Sequence, residues 1–275
     1  MLRIIIDPPS SPAYNMAVDE ALLNTSNQSN ERLTLRLYSW NPPAVSLGYG
    51  QNLEEEIDPR KCESYGISIV RRITGGRIVL HDQELTYSLV GPISNSTIEP
   101  YSRVIFQKVN DILLATMRSF GVFGELAHGG LCGGGNRAVC FSGIGKNEIS
   151  VNGKKIAGSA QRRTKNSLLL QGSILLGPGH RKLPLLMPDR DYARRKEISQ
   201  ILNSRTITVS EVLNTVPTFD ELCQCLINKF FKKMDINGQK TSLENNEKKE
   251  VAWLIKNKYG NKNWNYARRI KNHDQ

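Results

Sequence analysis

The side chains with the clearest capacity for chemistry are a cysteine and a lysine. Cys140 begins a polar loop broken by glycines, and Lys155 follows on a strand-like run. A thiol with an ordinary pKa of about 8.5 needs a nearby cation or dipole to become a reactive thiolate. An ammonium group can supply that charge and donate to an oxygen that becomes negative during reaction. The pair would suit nucleophilic chemistry at sulfur, but each residue taken alone favours a buried structural thiol and a solvated hairpin lysine.

A predicted β-hairpin places the lysine. Residues 147–151 alternate apolar and polar side chains, which is typical of a strand, and Asn152-Gly153 is a strong signal for a two-residue turn. A type I′ turn would pair Ser150 with Lys155. The apolar run Leu168–Leu170 is expected to add a further strand.

That register assigns the two faces of the hairpin. Lys155 is expected on the face opposite the core. Its neighbours on that face are small: Ser150, Ala157 and Ser159. The core-facing residues are Ile149, Val151 and Ile156. Small neighbours leave space beside a long cation, so the sequence predicts a hollow with a fixed amine inside and a thiol near its mouth.

A second candidate lies in residues 71–88. Gly75-Gly76 separates two strand-like runs, where backbone can approach a ligand closely or adopt positive φ. His81 is a candidate proton carrier or polar lining residue. The pattern alone favours a plain glycine turn and a hydrogen-bonded structural histidine, and Arg71 and Arg72 could be surface charges.

Composition limits the class of protein. With 275 residues, 39% hydrophobic and 23% charged, the chain can form one large soluble domain, or one with an appendage. Five cysteines are too few for a disulfide scaffold, and no long apolar run indicates a signal peptide or membrane span, so a cytoplasmic location is expected. No CxxC pair occurs and no metal site is expected, although spacing alone leaves the run His81–Glu84 open.

The net charge of +11 is unevenly distributed. Residues 229–275 contain 12 lysines and arginines against 5 acidic residues. Such a segment suits an acidic partner, either nucleic acid or an acidic protein domain, or it is a solvated helical tail.

Helices alternate with short, often antiparallel strands along the chain. Helices are predicted near residues 13–24, 100–120, 194–204, 219–230 and 243–259. Gly129–Asn136 is predicted to be a loop because of its glycines. The pattern predicts an α/β or α+β fold with a mixed, largely antiparallel sheet.

Several motifs resemble those of one superfamily. Residues 71–88, RRITGGRIVLHDQELTYS, resemble the arginine–glycine–histidine signature of lipoate–protein ligases and octanoyltransferases, and residues 152–163, NGKKIAGSAQRR, resemble their lysine motif. Ala17–Leu23 and Lys258–Tyr266 also match, so the resemblance covers nearly the whole chain. Cys140-Phe141 is similar to the pair found in octanoyl-carrier-protein:protein octanoyltransferases.

The resemblance implies a fold akin to biotin and lipoate ligase catalytic domains. It implies octanoyl transfer from octanoyl-acyl carrier protein, through a Cys140 thioester, to a lysine of the glycine-cleavage H protein or of a lipoyl domain of 2-oxoacid dehydrogenases. No cofactor, metal, nucleic acid or membrane is implied, and a monomer is expected. A catalytic domain over residues 1–240 and a basic helical segment over residues 241–275 are expected.

The resemblance also implies site residues. The expected catalytic residues are Cys140 and Lys155. The expected substrate-binding residues are Arg71, Arg72, Thr74, Gly75, Gly76, Arg77, His81, Gly158, Ser159 and Ala160.

Two departures from the family pattern bear on function. Arg77 replaces the third glycine of the ligase signature, which favours a transferase, and Cys132 in the loop Gly129–Gly135 is a second possible thiol. The alternatives are an ATP-dependent lipoate–protein ligase and an enzyme that moves octanoyl between lipoyl-domain proteins. A non-catalytic binder of nucleic acid or an acidic domain is a further alternative from another class.

Overall fold

Two β-sheets and the helices packed on them build the structure, a computed structural model that describes residues 1–26, 32–93, 98–127 and 148–267. The strands are β1 (Leu2–Ile6), β2 (Leu33–Tyr38), β3 (Ala44–Leu47), β4 (Ser68–Arg71), β5 (Val79–His81), β6 (Glu84–Pro92), β7 (Glu125–Leu126), β8 (Ile149–Val151), β9 (Lys154–Arg163), β10 (Ser167–Leu175) and β11 (Gly238–Lys240). The helices are α1 (Pro12–Thr25), α2 (Leu53–Glu56), α3 (Pro59–Ser64), α4 (Ile98–Ser119), α5 (Tyr192–Arg205), α6 (Val209–Val212), α7 (Phe219–Met234), α8 (Asn245–Leu254) and α9 (Lys262–Asn265). Short 3-10 segments span Pro178–Leu186 and Asp189–Asp191, and a π-helical turn spans Ile255–Tyr259.

Among the described residues, the larger sheet has eight strands in the order β11-β1-β2-β6-β10-β9-β8-β7, and the smaller has the order β4-β3-β5. In the larger sheet, β1 is parallel to β2 and β11. All other neighbouring strands of that sheet are antiparallel to each other. The predicted mixed, largely antiparallel sheet with packed helices is therefore confirmed.

Each side of the larger sheet carries its own apolar cluster. On one side, α4 and α7 bury residues such as Ile112 and Phe230 against the strands. On the other side, α1 buries Ala17 and Leu22 against Leu169 of β10. No helix in the described ranges combines the length and apolar character needed to cross a bilayer.

Capping residues set where the main helices begin. The Ser11 hydroxyl accepts a hydrogen bond from the Tyr14 amide at 3.3 Å, and Pro12 occupies the first turn of α1, where no backbone donor is required. Thr218 and Glu221 form a capping box at the start of α7. The predicted last helix is regular only to Leu254, and the predicted loop Gly129–Asn136 lies outside the described residues.

The predicted hairpin forms with the predicted turn. Asn152 and Gly153 have φ angles of 51° and 70°, the left-handed values that a type I′ turn requires. Ser150 pairs with Lys155 as expected.

The predicted core face of Ile149, Val151 and Ile156 is confirmed. The prediction that Ala157 and Ser159 share the face of Lys155 is wrong, because β9 contains a bulge. Ile149 pairs with Ala157, so one extra residue shifts the alternation of side chains along β9. Ala157 then joins the core, and Ser159 takes the same side. Gly158 lies on the side of Lys155 instead, where a Cβ would come 2.7 Å from the lysine Cε.

The C-terminal segment packs on the N-terminal helix. Glu20 of α1 accepts hydrogen bonds from Lys258 Nζ at 2.7 Å and from the Tyr259 hydroxyl at 2.6 Å. Arg3 of β1 donates to both carboxylate oxygens of Glu247 in α8. The division into residues 1–240 and 241–275 stays a prediction, and residues 241–267 lie against the rest of the chain.

A buried ionic network joins α1 to the centre of the larger sheet. Asp19 is 1% exposed. Its carboxylate accepts hydrogen bonds from four side chains: Arg36, Tyr38, Ser88 and Gln171. The Arg36 guanidinium also donates to Asp7 at 2.7 Å. These bonds fix β2, β6 and β10 beneath α1.

Replacement of Asp19 by alanine is expected to lower the free energy of unfolding by about 3–5 kcal/mol, because the Arg36 guanidinium and three buried polar groups lose their shared acceptor. Urea unfolding followed by circular dichroism measures the change. Asp189→Ala is the matched control: its side chain is 77% exposed in a surface pair with Lys61, so little change is expected. Equal losses in the two variants would contradict the role of the network.

Candidate functional site

A solvent-open cleft lies on the α1 side of the larger sheet, facing the smaller sheet. Six of the predicted substrate-binding residues line it: Arg72, Thr74, His81, Gly158, Ser159 and Ala160. Its apolar lining includes Met16, Trp40 and Val79. Residues far apart in sequence thus form one site that can hold an apolar ligand beside polar groups.

Lys155 is fully buried in the strand that forms one wall of the cleft. Its Nζ forms an ion pair with Glu148 Oε1 at 2.5 Å, and its carbonyl accepts from the Ile207 amide at 3.0 Å. A Cβ at Gly158 would come 2.8 Å from Nζ, so only glycine leaves room for the ammonium here. The lysine therefore forms a fixed positive charge directly behind a residue of the cleft wall.

The predicted nucleophile Cys140 lies outside the described residues, as do Phe141 and Cys132. Its distance from Lys155 stays a prediction. The described chain resumes at Glu148, the residue that pairs with the lysine ammonium.

The cysteines in the described ranges do not line the cleft. They are Cys62, Cys223 and Cys225. Burial raises the pKa of the Cys62 and Cys223 thiols to about 12, so neither forms a thiolate near neutral pH.

Arg72 holds the glycine turn from within. Its Nη2 donates to the carbonyls of Gly75 at 3.0 Å and Arg77 at 2.6 Å. Its Nη1 donates to the carbonyl and the hydroxyl of Ser46, both at 2.8 Å. Gly76 has φ of 92°, which disfavours other residue types. The turn borders the cleft without Gly75, Gly76 or Arg77 being part of its lining.

Arg71 does not line the cleft. Its guanidinium is buried and donates to backbone carbonyls of Gly48, Tyr49, Gln51, Trp264, Asn265 and Ala267. This arginine ties the C-terminal segment to the loop after β3, and so supports the Gly75-Gly76 turn from behind.

His81 is held in the cleft wall by three contacts. Its Nδ1 lies 2.7 Å from Glu84 Oε1, its Nε2 lies 2.7 Å from Ser46 Oγ, and its ring stacks on Trp40 with centroids 4.1 Å apart. The carboxylate selects the tautomer with the proton on Nδ1, so Nε2 accepts a hydrogen bond from the Ser46 hydroxyl. In the described part of the chain, no cluster of three or more His, Cys, Asp or Glu side chains suits a metal ion.

Gln171 connects the cleft to the buried network. Its amide donates to Asp19 and its Oε1 accepts from the Thr74 hydroxyl at 3.0 Å. The position of the glycine turn is thereby coupled to the centre of the sheet.

Sequence reasoning missed four residues of this site: Trp40, Glu84, Glu148 and Gln171. Glu84 lies three residues after His81, and Gln171 interrupts a largely apolar strand, so the sequence gave a weak signal for both. Trp40 and Glu148 gave none, because their contacts with His81 and Lys155 are made only by folding.

The packing behind Lys155 contains a buried histidine. His180 Nε2 lies 2.8 Å from Thr206 Oγ1, and Thr206 forms an isolated β-bridge with Lys155. Burial, assisted by the charge of Arg181, lowers the pKa of His180 to about 4. Between about pH 4 and pH 6.5 the folded protein therefore keeps this imidazole neutral, whereas an exposed imidazole would be protonated.

Comparisons with known proteins place the chain among related sequences. Residues 11–231 match the family model of the lipoyl protein ligase A/B catalytic domain. The chain is 35% identical to octanoyltransferase LipM of Anoxybacillus flavithermus, with 97% of this chain and 98% of that protein aligned. It is 32% identical to octanoyltransferase LipM of Bacillus subtilis, again with 97% and 98% aligned.

The fold is similar to that in a structure of a bi-partite lipoate protein ligase and its E2 lipoyl domain from Thermoplasma acidophilum. The TM-score is 0.81 at 24% sequence identity, with 99% of this chain and 98% of that chain covered.

The free energy of unfolding is expected to fall as the pH decreases from about 6.5 to about 4, because His180 takes up a proton in the unfolded chain that the folded chain excludes. One such group contributes a slope of at most about 1.4 kcal/mol per pH unit. Urea unfolding of the wild type and His180→Gln at several pH values measures it. The variant should lose this part of the slope, and identical slopes would contradict the assignment.

Proposed function

The chain belongs to the lipoyl protein ligase A/B catalytic-domain family, and from that premise we propose that it is an octanoyltransferase of lipoyl assembly. It takes the octanoyl group from octanoyl-acyl carrier protein, holds it as a thioester on Cys140, and passes it to a lysine of the glycine-cleavage H protein or an E2 lipoyl domain. It works as a cytoplasmic monomer. Aligned relatives named octanoyltransferase LipM support the transferred group.

The observation that carries the proposal is the fixed ammonium of Lys155 beside the apolar cleft. In the first step, the Cys140 sulfur attacks the donor's thioester carbonyl, a new C–S bond forms, and the donor's thiol leaves with the proton lost by Cys140. One thioester replaces another, so the step is close to neutral in energy. Lys155 favours the thiolate and donates to the negative oxygen of the tetrahedral intermediate.

In the second step, the acceptor amine attacks the Cys140 thioester and the C–N bond of the amide forms as the C–S bond breaks. The acceptor enters as an ammonium ion, so each transfer releases one proton in addition to that which restores the thiol. The Ser46 hydroxyl, which lines the cleft and bonds His81 Nε2, relays that proton to the imidazole, with Glu84 at the other ring nitrogen. Formation of an amide from a thioester is downhill and needs no ATP.

The apolar lining supports an eight-carbon chain. Burial of about seven methylene and methyl groups contributes roughly 5–6 kcal/mol at about 0.8 kcal/mol each. Met16, Trp40 and Val79 supply apolar surface for that burial. One extra methylene changes binding by only about 1–3 kcal/mol, so preference for chain length requires a closed end of the pocket.

Incubation with octanoyl-acyl carrier protein without ATP is expected to add one octanoyl group to the wild type, because Cys140 attacks a donor that is already activated. Intact-mass spectrometry measures the adduct, which Cys140→Ala should lack and Cys225→Ala should retain. Full transfer by Cys140→Ala would contradict the covalent mechanism, and an adduct lost only in Cys132→Ala would move the nucleophile to that thiol. Product formation that depends on ATP and lipoate would indicate a ligase instead.

Gly158→Ala is expected to lower the rate of Cys140 acylation by more than about tenfold, because the new Cβ displaces the flexible end of Lys155 from its fixed position. Displacement of this buried, ion-paired ammonium is also expected to lower the free energy of unfolding, so circular dichroism checks that the variant is folded before the acylation rates are compared. Gly50→Ala is the matched control, because a Cβ at Gly50 meets nothing within 4 Å. An unchanged acylation rate in Gly158→Ala would argue against a role of Lys155.

A further inference from the structure

The strand that carries Lys155 leaves the cleft with an arginine on its cleft-facing side. Ala160 lines the cleft, and side chains two positions apart on a strand share a face, so Arg162 continues that face outward. Arg162 pairs with Leu169, which is buried in the cluster on the α1 side. Arg163 lies on the opposite face, where its Nη1 approaches the Ser102 hydroxyl of α4 at 3.4 Å.

The charge of Arg162 is available to a ligand. The residue is exposed, and its guanidinium carbon lies 5.4 Å from the centre of the Tyr49 ring. Within the described ranges, Arg162 forms no ion pair with a carboxylate, whereas Lys155 is paired with Glu148. An arginine stacked on an aromatic ring presents its planar donors in a fixed fork, which suits the oxygens of a phosphate.

Tyr49 connects this arginine to the other side of the cleft mouth. Its backbone amide donates to the carbonyl of Thr74 at 3.0 Å, immediately before the Gly75-Gly76 turn. A Cβ at Gly75 would meet nothing within 4 Å, so the space above the turn is open. The mouth of the cleft therefore combines an unneutralised cation with room for an extended ligand.

We propose that Arg162 binds the phosphate of the phosphopantetheine arm on which the acyl donor arrives. This inference rests on the proposed function, because acyl carrier proteins hold their acyl group as a thioester at the end of such an arm. The thioester would lie beside Lys155, and the arm would leave along β9 toward Arg162.

The length of the arm agrees with the distance along β9 from Gly158 to Arg162. From Gly158, which touches Lys155, to Arg162 the strand rises about 13 Å at about 3.3 Å per residue. The arm has about thirteen covalent bonds between sulfur and phosphorus, and spans about 15 Å if it extends like a peptide, by about 3.4 Å per three bonds. An arginine side chain covers the remaining difference.

Two small donors that differ only in the phosphate test the assignment. Octanoyl-pantetheine and octanoyl-4′-phosphopantetheine are compared by kcat/KM for octanoylation of an apo H protein. The wild type should prefer the phosphorylated donor by about tenfold, as for a hydrogen bond to a charged group. Arg162→Ala should remove the preference by lowering only the rate with the phosphorylated donor, and Arg162→Lys should keep part of it.

Arg163→Ala is the matched control and should retain the wild-type preference, because its side chain lies on the other face of the same strand. Equal use of both donors by the wild type, or equal losses with both donors in Arg162→Ala, would overturn the inference while leaving the proposed function standing. Absence of transfer from either small donor and from octanoyl-acyl carrier protein would overturn both.

Octanoyl-coenzyme A and octanoyl-acyl carrier protein distinguish the source of the arm. An equal loss with both donors in Arg162→Ala supports recognition of the shared arm. A loss confined to the carrier protein would place Arg162 in a contact with the protein itself and overturn the assignment to the arm.

Discussion

A carboxylate buried beneath α1 is the charge around which the helix and the sheet are assembled. Asp19 is surrounded by donors from three strands: Arg36, Tyr38, Ser88 and Gln171. A buried carboxylate without such donors would cost several kcal/mol, so these strands are held in one register under the helix. Gln171 extends the constraint to the cleft, because its second amide atom bonds Thr74 beside the glycine turn. Stability and the shape of the site therefore depend on the same network.

The site itself is arranged by one irregularity in a strand. The bulge in β9 brings Gly158 onto the side of Lys155, and the missing side chain provides the space that the ammonium occupies. Glu148 pairs with that ammonium and thereby lowers the cost of burying it. In our proposal the same ammonium later stabilises the oxyanion, so the pair provides a charge positioned before the substrate arrives.

Two polar side chains at the cleft, those of Lys155 and His81, lie on different sides of it. The buried amine of Lys155 lies behind Gly158 in the wall formed by β9, and the imidazole of His81 lies in the wall formed by the smaller sheet. That arrangement suits a reaction in which negative charge develops at one place and a proton is released at another. Arg162 extends the same strand beyond the cleft, so one strand carries both the proposed oxyanion donor and the proposed contact with the donor's arm.

Most helices and strands and the hairpin turn could be predicted from the sequence, because the strand period, the helix caps and the Asn152-Gly153 dipeptide act locally. The family motifs also predicted Lys155 and His81 as members of one site, and the cleft lies beside both. Which residues of β9 share the face of Lys155 could be found only from the folded chain, because one inserted residue reverses the alternation of side chains and leaves no mark in the sequence pattern. The tertiary structure also places Arg71 away from the cleft, and it brings Trp40 and Glu84 against His81 and Glu148 against Lys155. Such contacts join residues distant in the chain or turned toward each other by packing, and a pattern read along the sequence carries no information on them.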